Sequence, residues 1–168
     1  PRLIWINDVT MGNGRTIELY HSDRHLAANL IEMAGEGKKC YVASTSRRRV
    51  EALDQQLRST IPGLRTLLIT SRTNNSEQAR AFIANPKVEM QNLDIVLASP
   101  TVATGVDITF DDDAEVIDCV FGFCDAHLLT HLEFDQLLGR VRHPKATKVW
   151  VTPQRSAYET NEDVVRRH

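Results

Sequence analysis

Six short runs rich in Val, Ile, Leu and Thr recur along the chain, and stretches of helical periodicity separate most of them. The runs are TIELYH (16–21), KCYVAST (39–45), RTLLIT (65–70), DIVLAS (94–99), EVIDCVF (115–121) and TKVWVT (147–152). Between them lie DRHLAANLIEMA (23–34), RRRVEALDQQLRS (47–59), SEQARAFIA (76–84) and LLTHLEFDQLLG (128–139), where apolar side chains return every three or four residues. A strand that is apolar on both faces needs cover on both faces. The alternation therefore predicts an α/β domain of three layers, a mostly parallel sheet covered by helices on each side. Gly35 and Gly37 are placed to end the first helix, and Ile61-Pro62-Gly63 to end the second. Residues 1–15, PRLIWINDVTMGNGR, fit this rhythm least and read as an edge strand with a turn, or as the tail of a preceding segment; residues 16–168 form the domain.

At 168 residues, 42% apolar and 25% charged, the chain is long enough to bury a core as one domain and is neither disordered nor fibrous. A formal net charge of -2 gives no global attraction to nucleic acid, so any such binding has to come from a local patch. Cys40, Cys119 and Cys124 are few, odd in number and set in apolar runs, which reads as reduced core thiols of an intracellular protein. No run approaches the roughly 18 apolar residues of a membrane span, and PRLIWIND is no signal peptide. A start without Met reads as a chain processed or cut from a longer protein.

In parallel α/β sheets ligands gather at the carboxyl ends of the strands, so the residues that follow each run carry the functional signal. After the second run come Ser44, Thr45 and Ser46, and then Arg47, Arg48 and Arg49 open a helix. Ser46 suits an N-cap, but arginines in a first turn oppose the helix dipole. A phosphate docked there resolves the conflict; so does a solvated face in which Arg47 pairs with Glu51 one turn on. After the third run, Ser71 and Arg72 sit among Thr70, Thr73, Asn74 and Asn75, a set that also serves as a capping loop. After the fourth come Ser99, Pro100, Thr101, Thr104, Gly105 and Asp107. Gly105 permits close backbone approach, and Asp107 can accept hydrogen bonds from sugar hydroxyls or from an arginine.

The last helical stretch ends in QLLGRVRHP, residues 136–144. Gln136, Gly139, Arg140 and Arg142 follow one another with no acid between them. Arginine forks two residues apart suit an anionic ligand, while the plainer reading is a basic helix end that complements the dipole before Pro144 stops it.

Taken in order, YVASTS, DIVLASPTVATGVDI and QLLGRVR resemble motifs IV, V and VI of the second RecA-like domain of superfamily 2 nucleic-acid helicases. The likeness spans residues 38–152, and TGVDI with QLLGRVRHP is similar to the helicases of replication-initiation proteins. The resemblance implies that Arg140 and Arg142 act as arginine fingers toward the γ-phosphate of ATP, and that Gln136 orders the attacking water or the phosphate. It implies that Gly105, Asp107 and Gly139 face the nucleotide, with Asp107 near the ribose and the first arginine. Ser44, Thr45, Ser46, Arg47, Ser71, Arg72, Ser99 and Thr101 would hold phosphates of a tracked strand, contacts without sequence preference. The implied partners are a first RecA-like domain on the same parent chain and a nucleic acid, DNA in preference to RNA. One departure stands out: the family pattern is QxxGRxxR, whereas here the second arginine comes one residue early and His143 takes the usual place.

A hydrolase of this class needs a phosphate loop, GxxxxGK[ST], and acids that hold Mg²⁺. Neither occurs, and MGNGRT (11–16) lacks both the lysine and the spacing. The chain is therefore expected to carry half of a site for ATP and Mg²⁺ and to be inert alone. The alternative is a degenerate RecA-like module that binds nucleic acid or protein without hydrolysis. Two other constellations weigh less. Cys119, Cys124, His127 and His131 offer zinc ligand types, but the odd separation of the cysteines turns them to opposite faces of a strand. Asp111, Asp112 and Asp113 could hold Mg²⁺, but nothing basic or phosphate-binding lies close in sequence, so the run reads as a solvated turn and no metal site is expected.

Overall fold

The computed structural model describes residues 16–100, 106–125, 128 and 130–153. Its strands are β1 (Ile17–Tyr20), β2 (Cys40–Ser44), β3 (Thr66–Ile69), β4 (Ile95–Ala98), β5 (Cys119–Cys124) and β6 (Ala146–Val151). They form one sheet in the order β1-β6-β5-β2-β4-β3, and each neighbouring pair is parallel. The helices are α1 (Asp23–Gly35), α2 (Arg47–Thr60), α3 (Glu77–Ala84), the single turn α4 (Pro86–Glu89) and α5 (His131–Leu138).

Alternation along each strand divides the core in two. Cys40, Val42, Ile95, Leu97, Phe121 and Phe123 pack against Leu26 and Leu30 of α1 and Val50, Leu53 and Leu57 of α2. Tyr41, Ala43, Val96, Ala98, Val120 and Val149 pack against Phe82 of α3 and Phe134, Leu137 and Leu138 of α5. Because β2, β4 and β5 are buried along their whole length, they read in the sequence as unbroken apolar runs.

Local chemistry sets the ends of the elements. The Thr130 hydroxyl accepts from the Glu133 amide and the Glu133 carboxylate answers from the other side, a capping box that starts α5. Ser76 caps α3. Gly37, at φ +74°, takes the left-handed position after α1, whereas Gly35 is the last helical residue.

Two elements differ from the sequence expectation. β5 begins at Cys119 and runs to Cys124 instead of covering 115–121. The Asp118 carboxylate accepts from the Lys39 amide and from Lys145 Nζ, which holds the chain at the amino edge of the sheet. Past Phe121 the strand continues through Gly122, where α5 lies so close that a Cβ would stand 2.7 Å from Leu138 and 2.9 Å from Phe134. Glycine here is a packing requirement, not a strand break. The other difference is α4, four residues started by Pro86 after the Asn85 cap, too short for any periodicity to announce.

Candidate functional site

Arg140, Arg142 and Asp107 are joined by the backbone before their side chains meet. The chain after α5 runs beside the segment that follows β4. The Ile108 amide donates to the Arg140 carbonyl at 2.7 Å, and the Arg142 amide donates to the Ile108 carbonyl at 3.2 Å. Ile108 and Val141 are buried between them and fix the register. The Arg142 guanidinium then grips Asp107 with Nη2 to Oδ2 at 3.0 Å and Nε to Oδ1 at 3.1 Å. Both side chains are half exposed, at 56% and 54%. The Arg142 guanidinium, helped by the Thr109 hydroxyl, holds the Asp107 carboxyl below its ordinary range.

Arg140 is placed differently. Its Nη1 donates to the Val106 carbonyl at 3.2 Å, and its Nε, buried, has no partner among the described residues. Asp107 thus takes the second arginine of the stretch as its bonded partner, not the first; Arg140 acts on it only through space. A buried guanidinium nitrogen without an acceptor is an unmet demand for an anion or a carbonyl. Gly139 closes α5 with ordinary helical dihedrals, and its amide reaches Asp135 at 2.8 Å. Gln136 is exposed on α5, one turn before Arg140. Gly105 and Thr101 lie outside the described residues.

A second group forms along the carboxyl edge of the sheet. Ile69, Ala98 and Ala43 are in register across β3, β4 and β2. The next residue of each strand is therefore part of one row of hydroxyls, Thr70, Ser99 and Ser44, all buried. Ser44 Oγ accepts from the Ser46 amide at 3.1 Å, and Thr70 Oγ1 accepts from the Arg72 amide at 3.2 Å. Ser99 Oγ has no partner among the described residues. Ser71 and Arg72 stand exposed at the end of the row. Thr45 is otherwise engaged: its hydroxyl accepts from the Asp125 amide at 2.8 Å and donates to the Asp125 carbonyl, stitching β2 to β5.

The three arginines that open α2 separate in space. Arg47 Nε lies 3.5 Å from Glu51 Oε1, the pairing of the solvated-face reading, while Arg48 is exposed. Arg49 turns inward. Its Nη2 meets Asp125 at 2.6 Å and its Nη1 meets Asp23 at 3.0 Å, with the guanidinium carbon 4.8 Å from the Trp150 ring centre. The Asp125 carboxylate, accepting from Arg49, raises the arginine above its ordinary value; burial opposes this and the acceptor Asp23 reinforces it. At Arg49 two carboxylates relieve the electrostatic conflict of a basic first turn. The sequence reading missed this residue's role because Asp23, Asp125 and Trp150 come from three other elements. Ser46 occupies the N-cap position of α2, but its side chain makes no capping bond.

The remaining constellations resolve into structure. Asp111, Asp112 and Asp113 form a 3-10 turn with Asp112 at φ 53°, and Lys87 of α4 pairs with Asp111, a basic neighbour that lies close in space although not in sequence. Cys119 faces α1 and α2 while Cys124 faces the opposite core, as their odd separation requires. His127 lies outside the described residues. Among the described residues no helix is long and apolar enough to cross a membrane.

An all-parallel sheet with α1 and α2 on one face and α3 and α5 on the other is the fold of the RecA-like domains of helicases. The RNA helicase Prp28 from Chaetomium thermophilum, bound to ADP, superposes with a TM-score of 0.56 at 16% identity over 82% of this chain and 32% of that one. A hypothetical ATP-dependent RNA helicase from Sulfolobus tokodaii gives a TM-score of 0.53 at 17% identity over 92% of this chain and 46% of that one. The chain thus spans less than half of the length of these structures. No family model and no curated protein sequence matches it.

Proposed function

We propose that this chain is the second motor domain of an ATP-dependent superfamily 2 helicase or translocase, placed intracellularly. In this reading it supplies arginine fingers to ATP and phosphate contacts to a nucleic acid. The observation that carries the reading is the cluster of Arg140, Arg142 and Asp107, assembled by the Ile108 and Val141 bridge from two segments more than thirty residues apart. The unmet guanidinium nitrogen of Arg140 suits a phosphate arriving from outside this domain, and Arg142 would be aimed by the Asp107 carboxylate. Gln136, one turn earlier on α5, would orient a water or the phosphate. Asp107, with Gly105 and Gly139, would face the nucleotide. Mg²⁺, when bound with ATP, would neutralise charge between the phosphates, held mainly by acids of a first RecA-like domain. Asp111, in the turn of residues 111–113, is salt-bridged to Lys87.

The carboxyl edge supplies the second half of the reading. In this reading Ser46, Arg47, Ser71 and Arg72 would offer hydroxyls and cations to backbone phosphates, together with Thr101, while Ser44 and Ser99 lie buried beneath them. Thr45 supports this edge from within. DNA is the proposed track and replication initiation the proposed setting; both rest on the likeness of TGVDI and QLLGRVRHP and on nothing in the geometry. The test is ATP turnover by the longer protein with and without single-stranded and duplex DNA and RNA. Turnover stimulated by a nucleic acid supports the motor. Binding of nucleic acid without any turnover, in a parent chain lacking a phosphate loop, assigns the domain to the degenerate binding class.

A further inference from the structure

On the sheet face opposite α5, a cleft of about 480 Å³ opens between the first turns of α1 and α2. Its accessible apolar surface comes from Ala27 of α1 and Ala52 of α2, with Leu53 and Phe123 buried behind them. Small side chains at the facing positions of the two helices leave this depression, since alanine stops short where a leucine would fill it. One wall is the Arg49 guanidinium with Asp125 and Asp23.

The mouth carries positive charge. Arg49 and its two carboxylates sum to a formal -1. Arg24 and Arg48 at the rim add two positive charges, are exposed, and form no ion pair among the described residues. The site is therefore net positive by one in a chain whose net charge is -2. The amino ends of α1 and α2 face the same opening, and neither Ser22 nor Ser46 caps its helix with a side-chain bond. Their partial positive charge adds to that of the arginines.

An apolar floor inside a cationic rim selects for a group that is apolar at its tip and acidic around it. A nucleic-acid backbone has the charge but no apolar tip. A small enclosed ligand needs walls on nearly all sides, and this cleft is broad and open. A protein segment laid across the surface meets both demands, with one side chain buried as an anchor and charges paired at the rim. We infer that this cleft docks an acidic segment of a partner protein, seating one apolar side chain on Ala27 and Ala52 while flanking carboxylates pair with Arg24 and Arg48. The inference stands apart from the motor reading: Ser46 of the proposed phosphate contacts also lines the cleft, but Arg24, Ala27, Arg48 and Ala52 belong neither to the ATP cluster nor to those contacts.

The test uses a fluorescein-labelled twelve-residue peptide of alternating Glu and Asp with one central Leu, titrated into the full-length protein. A version with Ser for Leu, a version with Lys for every acid and a labelled single-stranded oligonucleotide are run in parallel. Ala52 is exposed, so Ala52→Trp fills the cleft while leaving fold and charges in place, which a thermal melt verifies. The expected result is saturable binding of the acidic Leu peptide, weakened at least about tenfold by Ala52→Trp, by the paired Arg24→Glu and Arg48→Glu changes, and by loss of the Leu, as removal of a buried anchor demands. Oligonucleotide binding is unchanged by Ala52→Trp. The inference is overturned by no peptide binding at millimolar concentration, by binding indifferent to the Leu or to Ala52→Trp, or by an oligonucleotide whose binding Ala52→Trp abolishes. That last result gives the cleft to the nucleic-acid track.

Discussion

Asp107 and Arg142, 35 residues apart in sequence, face each other through a fork of hydrogen bonds at 3.0 and 3.1 Å. The pair is half exposed, so its net worth to folding is small, under about 1 kcal/mol. Its value lies in aiming the guanidinium. Asp107→Asn keeps the shape and removes the charge that orients Arg142. Urea melts of the variant are expected to match the parent within that margin, while ATP turnover of the longer protein falls by about tenfold, the effect of a misplaced catalytic group. A loss of stability beyond about 2 kcal/mol, with turnover intact, makes the pair a structural clamp instead.

The rim at the carboxyl edge makes a prediction about salt. Arg72 is exposed and Arg47 is only loosely paired with Glu51, so both are available to phosphates. Removing a cation that neutralises one phosphate should reduce the slope of log affinity against log salt by somewhat under one. The Arg47→Gln and Arg72→Gln double variant is expected to flatten the slope for labelled single strands. An unchanged slope assigns both residues to a solvated face.

Gly122 governs how α5 is seated. A side chain there enters the space of Leu138 Cδ2, 2.7 Å away, and of Phe134 Cζ, 2.9 Å away. Gly122→Val is expected to cost about 1–3 kcal/mol of stability by overpacking. Chemical denaturation measures this directly. A neutral result means that α5 moves freely on the sheet, and then its position cannot set that of Arg140.

Acid should unfold the domain within a defined window. Hydrogen bonds from Arg49, Arg65 and Arg142 lower the carboxyls of Asp23, Asp94 and Asp107; at Asp118 burial acts in the opposite sense, and Lys145 and the Lys39 amide overcome it. A carboxyl lowered on folding contributes stability above its unfolded value, and that contribution disappears as pH falls through the folded value. The free energy of unfolding is therefore expected to be flat from pH 7 to about 5 and to decline below about 4. A decline beginning near pH 6 assigns control to histidines instead.

Much of this architecture was legible in the sequence because burial on both faces leaves an unmistakable apolar signature in β2, β4 and β5. Thr70, Ser99 and Ser44 each stand out at or near the end of a run, but their alignment in one row comes only from the register of β3, β4 and β2. What pattern could not reveal is pairing at a distance. Arg49 reads as one of three equivalent arginines until Asp23, Asp125 and Trp150 are seen around it. The family resemblance puts Asp107 near the first arginine, while the bridge between Ile108 and Val141 brings it to the second. Gly122 reads as the end of a strand because its reason is a helix that arrives later in the chain. In each case a local rule was overridden by a contact across the fold.

The central claim concerns Arg140, whose buried Nε lacks an acceptor among the described residues. If that nitrogen and its neighbours meet charge that develops on a transferred phosphoryl group, removing the side chain harms catalysis far more than binding. The decisive measurement compares ATP turnover and nucleotide affinity of the longer protein with and without Arg140→Ala. The account predicts a fall in the turnover rate constant of at least about 10², given the roughly 10³ to 10⁵ that such fingers contribute, with affinity changed by less than about tenfold. Turnover left intact, or a domain that unfolds on the substitution, contradicts it and leaves QLLGRVRHP as the basic end of a helix.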